Sequence, residues 1–323
     1  MGTRRIGCWL CYKSNKSRRR SKKLCKNFSS KNARFIKYKD IPIDNSNIRN
    51  LDTIIDLAIE EDLHLGDITT ESLNLNSENV SCKIVSKAKG ILSGNEVASR
   101  VFQKIDKSIK YTEQTKDSET LNHGTVIANI FGDKNSILTA ERTALNFLQR
   151  MSGVASITNE YVNLVKNISI FDTRKTIPGW RTLDKYAVKC GGGNNHRMNL
   201  GDGLLIKDNH ISAANKQGIS VKELVEKSRN NSPKNLKIEI EVDSLDLLKE
   251  VVETNVDIIM LDNMTDKMIQ KSIDITRGRK IIEVSGNVDK ERLVDLDNIM
   301  GIDIVSIGRI THSAKALDIS LVI

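Results

Sequence analysis

The clearest rhythm in the chain lies in its second half, where short apolar runs alternate with amphipathic stretches. Runs near 168–172, 203–206, 237–242, 257–261, 280–284 and 303–307 are rich in Ile, Leu and Val, which predicts buried strands. Between them, 181–190, 220–229, 244–253, 265–275 and 289–298 repeat apolar residues at helical spacing. Such alternation predicts a parallel sheet with right-handed crossovers. Six strands are fewer than a closed barrel needs. The expected architecture over 151–323 is therefore an incomplete β/α barrel, with an open doubly wound sheet as the alternative.

The first half is less regular. Ile48, Leu51, Ile54, Ile55 and Ala58 share one face of a predicted helix that Ser46 can cap. Residues 61–70 read as a polar loop, 80–92 and 125–131 as strands, and 95–105, 138–150 and 153–167 as helices. This mixture predicts a small α/β layered domain over 41–150.

Charge separates a third region. Residues 1–40 carry fourteen Lys/Arg against one acid, Asp40; the chain's +9 less this +13 leaves −4 for the body. So basic, apolar-poor an extension cannot bury enough surface to offset its ordering entropy, and it is expected to be disordered. Its composition suits an organelle transit peptide, an electrostatic tether or a solvated extension. Expected localisation is cytoplasmic, or an organelle if 1–40 is a transit peptide. Cys8 and Cys11 have metal spacing but no second pair. Five cysteines in 323 residues make no disulfide framework and point to a reducing compartment. No apolar run approaches the roughly 20 residues of a membrane helix. The body's negative charge argues against nucleic acid as a partner, and neither nucleic acid nor membrane is expected.

Chemistry concentrates at the predicted strand ends. Thr173, Arg174 and Lys175 follow the first barrel strand, His196 and Arg197 precede the second, and Lys207 closes it; Arg142 lies earlier. In a parallel barrel these ends converge on the catalytic face. Several cations at one mouth imply a substrate rich in carboxylates or phosphates, because the guanidinium fork donates paired hydrogen bonds to such groups. Glu241 and Asp262 also end strands. They either cap the following helices or accept ribose hydroxyls and hold Mg2+ through oxygen. Ser285, Gly286 and Asn287, and likewise Ser306, Ile307 and Gly308, can offer backbone N–H groups to a phosphate. Gly191, Gly192 and Gly193 either cradle an anion or end a helix. Cys190 and Cys82 make poor candidate nucleophiles, and His312 reads as structural.

The order DTRKT (172–176), CGGGNNHR (190–197), LIKDNH (205–210) and MLDNM (260–264) closely resembles quinolinate phosphoribosyltransferases. Segments 61–70, 141–153, 239–242, 283–287 and 306–320 extend the likeness over about 45–323. The resemblance implies an N-terminal α/β sandwich with a C-terminal open six-stranded β/α barrel. It further implies a homodimer or hexamer in which Arg142 reaches a neighbouring site. The implied reaction joins quinolinate to 5-phosphoribosyl 1-diphosphate with Mg2+, releasing pyrophosphate and carbon dioxide and forming nicotinate mononucleotide for NAD synthesis. Arg142, Arg174, His196, Arg197 and Lys207 would hold quinolinate. Lys175 and Lys207 would face phosphates, Glu241 and Asp262 ribose or Mg2+, and the segments 285–287 and 306–308 the 5-phosphate. Lys175, Lys207, Glu241 and Asp262 are the expected catalytic set. His64, Trp180, Asn287 and Arg309 depart from the family pattern without removing any of these. The rival readings are a related barrel phosphoribosyltransferase acting on nicotinate or another base, a nucleic-acid-binding protein and a non-catalytic scaffold.

Overall fold

The computed structural model describes residues 48–73 and 76–323. The extension 1–40, with Cys8 and Cys11, and the Ser46 cap lie outside these residues. The described chain divides into two compact units, one built from Val165–Ser169 and Leu200–Ser306, the other from 48–164, Ile170–Asn199 and Ile307–Ile323.

In the latter unit the chain forms β1 (Asn79–Ser86), β2 (Gly90–Ile91), β3 (Lys110–Glu113), β4 (Thr120–Leu121) and β5 (Val126–Asp133). β1 pairs antiparallel with β5, which pairs with β3, while β2 and β4 form a small ribbon. Helix Asn95–Ile105 buries Val97, Ala98, Val101 and Phe102, an i, i+3, i+4 stripe that suits packing on one side.

The alternating half supplies β6 (Ser169–Phe171), β7 (Leu204–Ile206), β8 (Ile238–Val242), β9 (Ile258–Asp262), β10 (Ile281–Ser285) and β11 (Ile304–Ser306). They form one sheet in the order β6-β11-β10-β9-β8-β7, so β6 and β7 are its edges and the barrel is open. The neighbours from β7 to β11 run parallel. β8 to β10 are almost wholly buried, as both-sides-covered strands should be. The helices after β7, β8, β9 and β10 start where sequence chemistry allows. Ser220 and Glu223 form a reciprocal capping box, and Ser244, Thr265 and Asp289 accept N–H bonds from their third residues.

The last strand, β12 (Ile319–Val322), returns to pair antiparallel with β1, from Ser86↔Ile319 to Lys83↔Val322. This gives the four-stranded order β12-β1-β5-β3.

Two local expectations are corrected. The helices expected at 138–150 and 153–167 are one helix, Lys134–Val162. Ser152 and Gly153 look like a break but are there for close packing. A Cβ on Gly153 would stand 2.0 Å from the Lys315 carbonyl oxygen, and Ser152 exchanges hydrogen bonds with the Ser93 backbone. The loop expected over 61–70 is largely helical. The first helix runs to Leu63, and a second short one spans Ile68–Leu73. Asp67 starts it by accepting from the Thr70 amide at 3.0 Å and hydroxyl at 2.6 Å, and Thr139 on the long helix donates to the same carboxylate. These bonds hold the Asp67 carboxyl below its usual range.

Candidate active site

In the unit containing β8 to β10, the acids and Lys207 gather at strand ends. Lys207 follows β7 and ion-pairs with Glu241, whose side chain is on β8. Glu241 and Asp262 both line a groove of about 750 Å3 with Asp208, Asp243, Lys216 and Leu247. Asp262 ends β9 opposite Ser285 on β10. Its carboxylate accepts from the Asn263 side-chain amide at 2.8 Å. The alternative that Asp262 caps the next helix does not hold, since Thr265 is that cap. Glu239 lies two residues from Glu241 on β8, so both project to one face.

The loop Ser285-Gly286-Asn287 is shaped by close approach. Gly286 has φ 98°, and a Cβ there would fall 2.2 Å from Asn263 Oδ1 and 3.0 Å from the Asn263 backbone nitrogen. Gly286→Ala is therefore expected to cost about 2 kcal/mol. Thermal denaturation would show this as a midpoint lowered by several degrees. Ser306, at the end of β11, is buried, and its hydroxyl has no hydrogen-bond partner among the described residues. A buried, unanswered hydroxyl is costly and suits a ligand oxygen.

In the unit containing Ile170–Asn199, the predicted cations surround the end of β6. Thr173 and Arg174 are half-buried and Lys175 is exposed. The Arg174 Nε is buried without a partner among the described residues. His196 and Arg197 are both 6% exposed. Ile307 donates its N–H to the Phe171 carbonyl, which sets Gly308 beside Lys175. A Cβ on Gly308 would meet Lys175 Cδ at 3.0 Å and the His312 ring at 3.2 Å. His312, read as structural from the sequence, thus stands beside a predicted phosphate-facing lysine. Arg142 is exposed on the helix Lys134–Val162.

Between these side chains lies a buried ionic set of which the sequence marked only Asp172, the strand-end residue that opens DTRKT. Lys185 and Asp172 are both fully buried and pair at 2.5 Å. Arg150 donates to Asp184 at 3.1 Å and to the Thr311 carbonyl at 2.6 Å. Burial raises the Asp184 carboxyl despite Arg150, and it pushes Asp172 up to about 6 against the pull of Lys185. The available signal was positional: Leu183, Ala187 and Val188 mark the inner face of helix Arg181–Cys190, and Asp184 and Lys185 are buried with them. Burial also raises the Cys190 thiol, which keeps it protonated and a weak nucleophile. Gly191 and Gly193 are packing glycines, each with a Cβ position within 2.7 Å of residues 155–158.

Models of the quinolinate phosphoribosyl transferase N-terminal and C-terminal domains match residues 67–152 and 154–322. The chain belongs to the quinolinate phosphoribosyltransferase family. A probable nicotinate-nucleotide pyrophosphorylase (carboxylating) of Bacillus subtilis is 37% identical over 263 residues, covering 81% of this chain and 89% of that protein. The chloroplastic nicotinate-nucleotide pyrophosphorylase (carboxylating) of Arabidopsis thaliana is 38% identical, covering 84% and 82%. The crystal structure of NadC from Streptococcus pyogenes is 40% identical and superposes with a TM-score of 0.80, covering 84% and 96%. As in the expectation drawn from its motifs, this quinolinate phosphoribosyltransferase-family chain combines an N-terminal antiparallel sheet with an open six-stranded parallel barrel.

Proposed function

We propose that this chain transfers the phosphoribosyl group of 5-phosphoribosyl 1-diphosphate to quinolinate with decarboxylation, the entry of de novo synthesis into NAD. The observation that carries this reading is the pairing of family membership with Arg174, Lys175, His196 and Arg197 in the connection from β6 to β7 and Lys207 directly after β7. Quinolinate brings two carboxylates and the sugar donor three phosphates. Arg142, Arg174, His196, Arg197 and Lys207 take the diacid, and Lys175 and Lys207 face the pyrophosphate. Thr173 adds a hydroxyl donor. His312, beside Lys175, belongs with the phosphate-facing group.

The chemistry asks for positioning and charge more than for a nucleophile on the enzyme. The pyridine nitrogen bonds to ribose C1 as the bond from C1 to pyrophosphate oxygen breaks, and the lysines neutralise the departing charge. The ring nitrogen is then cationic. When the adjacent carboxylate leaves as carbon dioxide, its electron pair stays on the ring carbon beside that nitrogen, and a proton completes nicotinate mononucleotide. Glu241 and Asp262 supply hard oxygen donors on neighbouring strands, a set that fits Mg2+. The ion would lend charge to the diphosphate. The same carboxylates can accept ribose hydroxyls. The buried Ser306 hydroxyl, with the backbone at Ile307 and Gly308 and the loop Ser285-Gly286-Asn287, suits the 5-phosphate.

The working form is read as a homodimer or hexamer in which Arg142 serves a neighbouring site. Exposed Arg142 supports this, as do four exposed large apolar side chains in the same unit, Leu57, Leu65, Ile68 and Leu73. Among the described residues no helix is long and apolar enough to cross a membrane. The basic extension suits either a cytoplasmic enzyme with a solvated tail or an organelle enzyme with a transit peptide. Carbon dioxide release from quinolinate, measured with the phosphoribosyl donor and Mg2+, tests the reading. Turnover should be at least about a hundredfold more efficient (kcat/KM) than with nicotinate, since a site built for two carboxylates leaves cations unpaired around one. Faster turnover of nicotinate would decide for the related enzyme class.

A further inference from the structure

We infer that the buried Asp172–Lys185 pair is a positioning device that locks the main chain of His196 and thereby aims His196 and Arg197 at the diacid. This rests on the reading that those two side chains hold quinolinate.

The geometry is a clamp on one residue from both sides. The His196 N–H donates to Asp172 Oδ1 at 2.7 Å, and Lys185 Nζ donates to the His196 carbonyl at 3.0 Å. Lys185 and Asp172 close the loop by pairing with each other. Asn195, its amide nitrogen facing both acceptors, donates to Asp172 Oδ2 at 2.9 Å and to the Lys185 carbonyl at 3.0 Å. The flanking backbone is tied as well. Asp172 N–H donates to the Asn194 carbonyl, and Asn194 N–H to the Ile170 carbonyl. Asp172 and Asn194–His196 are thus locked on both edges.

A buried ion pair is an expensive way to hold two segments together, because both ions lose water and an apolar pair of similar volume serves stability as well. What ions do better is specify direction. Here the carboxylate accepts from the N–H and the ammonium donates to the carbonyl of one residue, His196, in the segment that carries the proposed substrate cations. The His196 ring is fixed in turn. Arg197 N–H donates to its Nδ1 at 2.9 Å. The edge-on contact of Phe171 with the ring, 6.5 Å between centroids at 81°, limits its tilt.

The test compares full-length Asp172→Asn, Lys185→Met, the double variant, Asn195→Ala and Arg197→Ala. Steady-state kinetics would vary each substrate separately, with thermal midpoints measured alongside. The expected result is a rise of tenfold or more in KM for quinolinate in each pair variant, with KM for the phosphoribosyl donor within about twofold of the parent. The double variant should be no worse than the worse single, because the pair acts as a unit. Asn195→Ala leaves the ions in place and should raise the same KM by a few fold, and it decides the matter if the pair variants do not fold. A lowered thermal midpoint with KM for quinolinate unchanged overturns the inference. So does a fall in kcat with both KM values unchanged, which reports only less folded enzyme. If Arg197→Ala raises KM for quinolinate while the pair and Asn195 variants do not, the positioning role fails and the site reading survives. If Arg197→Ala also leaves it unchanged, the site reading fails and takes the inference with it.

Discussion

Replacing Arg197 by Ala is expected to lower kcat/KM for quinolinate about a thousandfold while the protein remains folded. The size follows from what the guanidinium does in the proposed site. A buried carboxylate that loses a paired donor keeps its full desolvation cost, and charge-assisted bonds are the strong class. Loss of one bidentate partner costs roughly 3–4 kcal/mol, which is two to three orders of magnitude in rate. Arg197 is almost wholly buried, so Arg197→Lys is the companion variant. It keeps a charge and most of the volume but not the planar fork, and it should recover less than about a tenth of the activity. Circular dichroism and thermal midpoint check the fold, and initial rates at varied quinolinate check the function. Unchanged kcat/KM in Arg197→Ala would count decisively against a diacid held here.

The second large effect is expected at Glu241 and Asp262. Glu241→Gln and Asp262→Asn keep shape and remove charge, so any loss reports on electrostatics. Each should raise the Mg2+ concentration needed for half-maximal rate by about tenfold, and the double variant should lose roughly a thousandfold in kcat. Glu241→Gln also breaks the ion pair with Lys207. That frees the ammonium, so its effect on KM for the phosphoribosyl donor should be the smaller of the two singles. A Mg2+ titration of initial rate separates these outcomes. An unaltered Mg2+ dependence in both variants would leave ribose contact as the role of these acids.

The barrel was legible because its strands are buried on both faces and announce themselves as apolar runs. Ile238 to Val242, Ile258 to Leu261 and Ile281 to Val284 needed only composition and spacing, and their C-terminal ends then located Glu241, Asp262 and Ser285. The run 80–92 reads as strand but holds two, Asn79–Ser86 and Gly90–Ile91, and the strands Lys110–Glu113 and Thr120–Leu121 were not legible, since each is short and partly exposed. The return of Ile319–Val322 to β1 depends on a pairing between positions more than two hundred residues apart. Local pattern carries no record of that.

What the sequence determined by itself was chemistry and order: which cations, acids and glycines stand at strand ends, and the family their arrangement resembles. What only the tertiary structure decided was which of them are held by others. Gly153 looks like a helix break until the Lys315 carbonyl is seen against it, and Lys185 looks like a surface lysine until Asp172 and the His196 carbonyl surround it. The physical reason is that burial and hydrogen-bond partnership are properties of a residue's neighbours in space. A one-dimensional pattern reports hydrophobicity and spacing, and it cannot report which carbonyl or carboxylate the folded chain will bring to a given side chain.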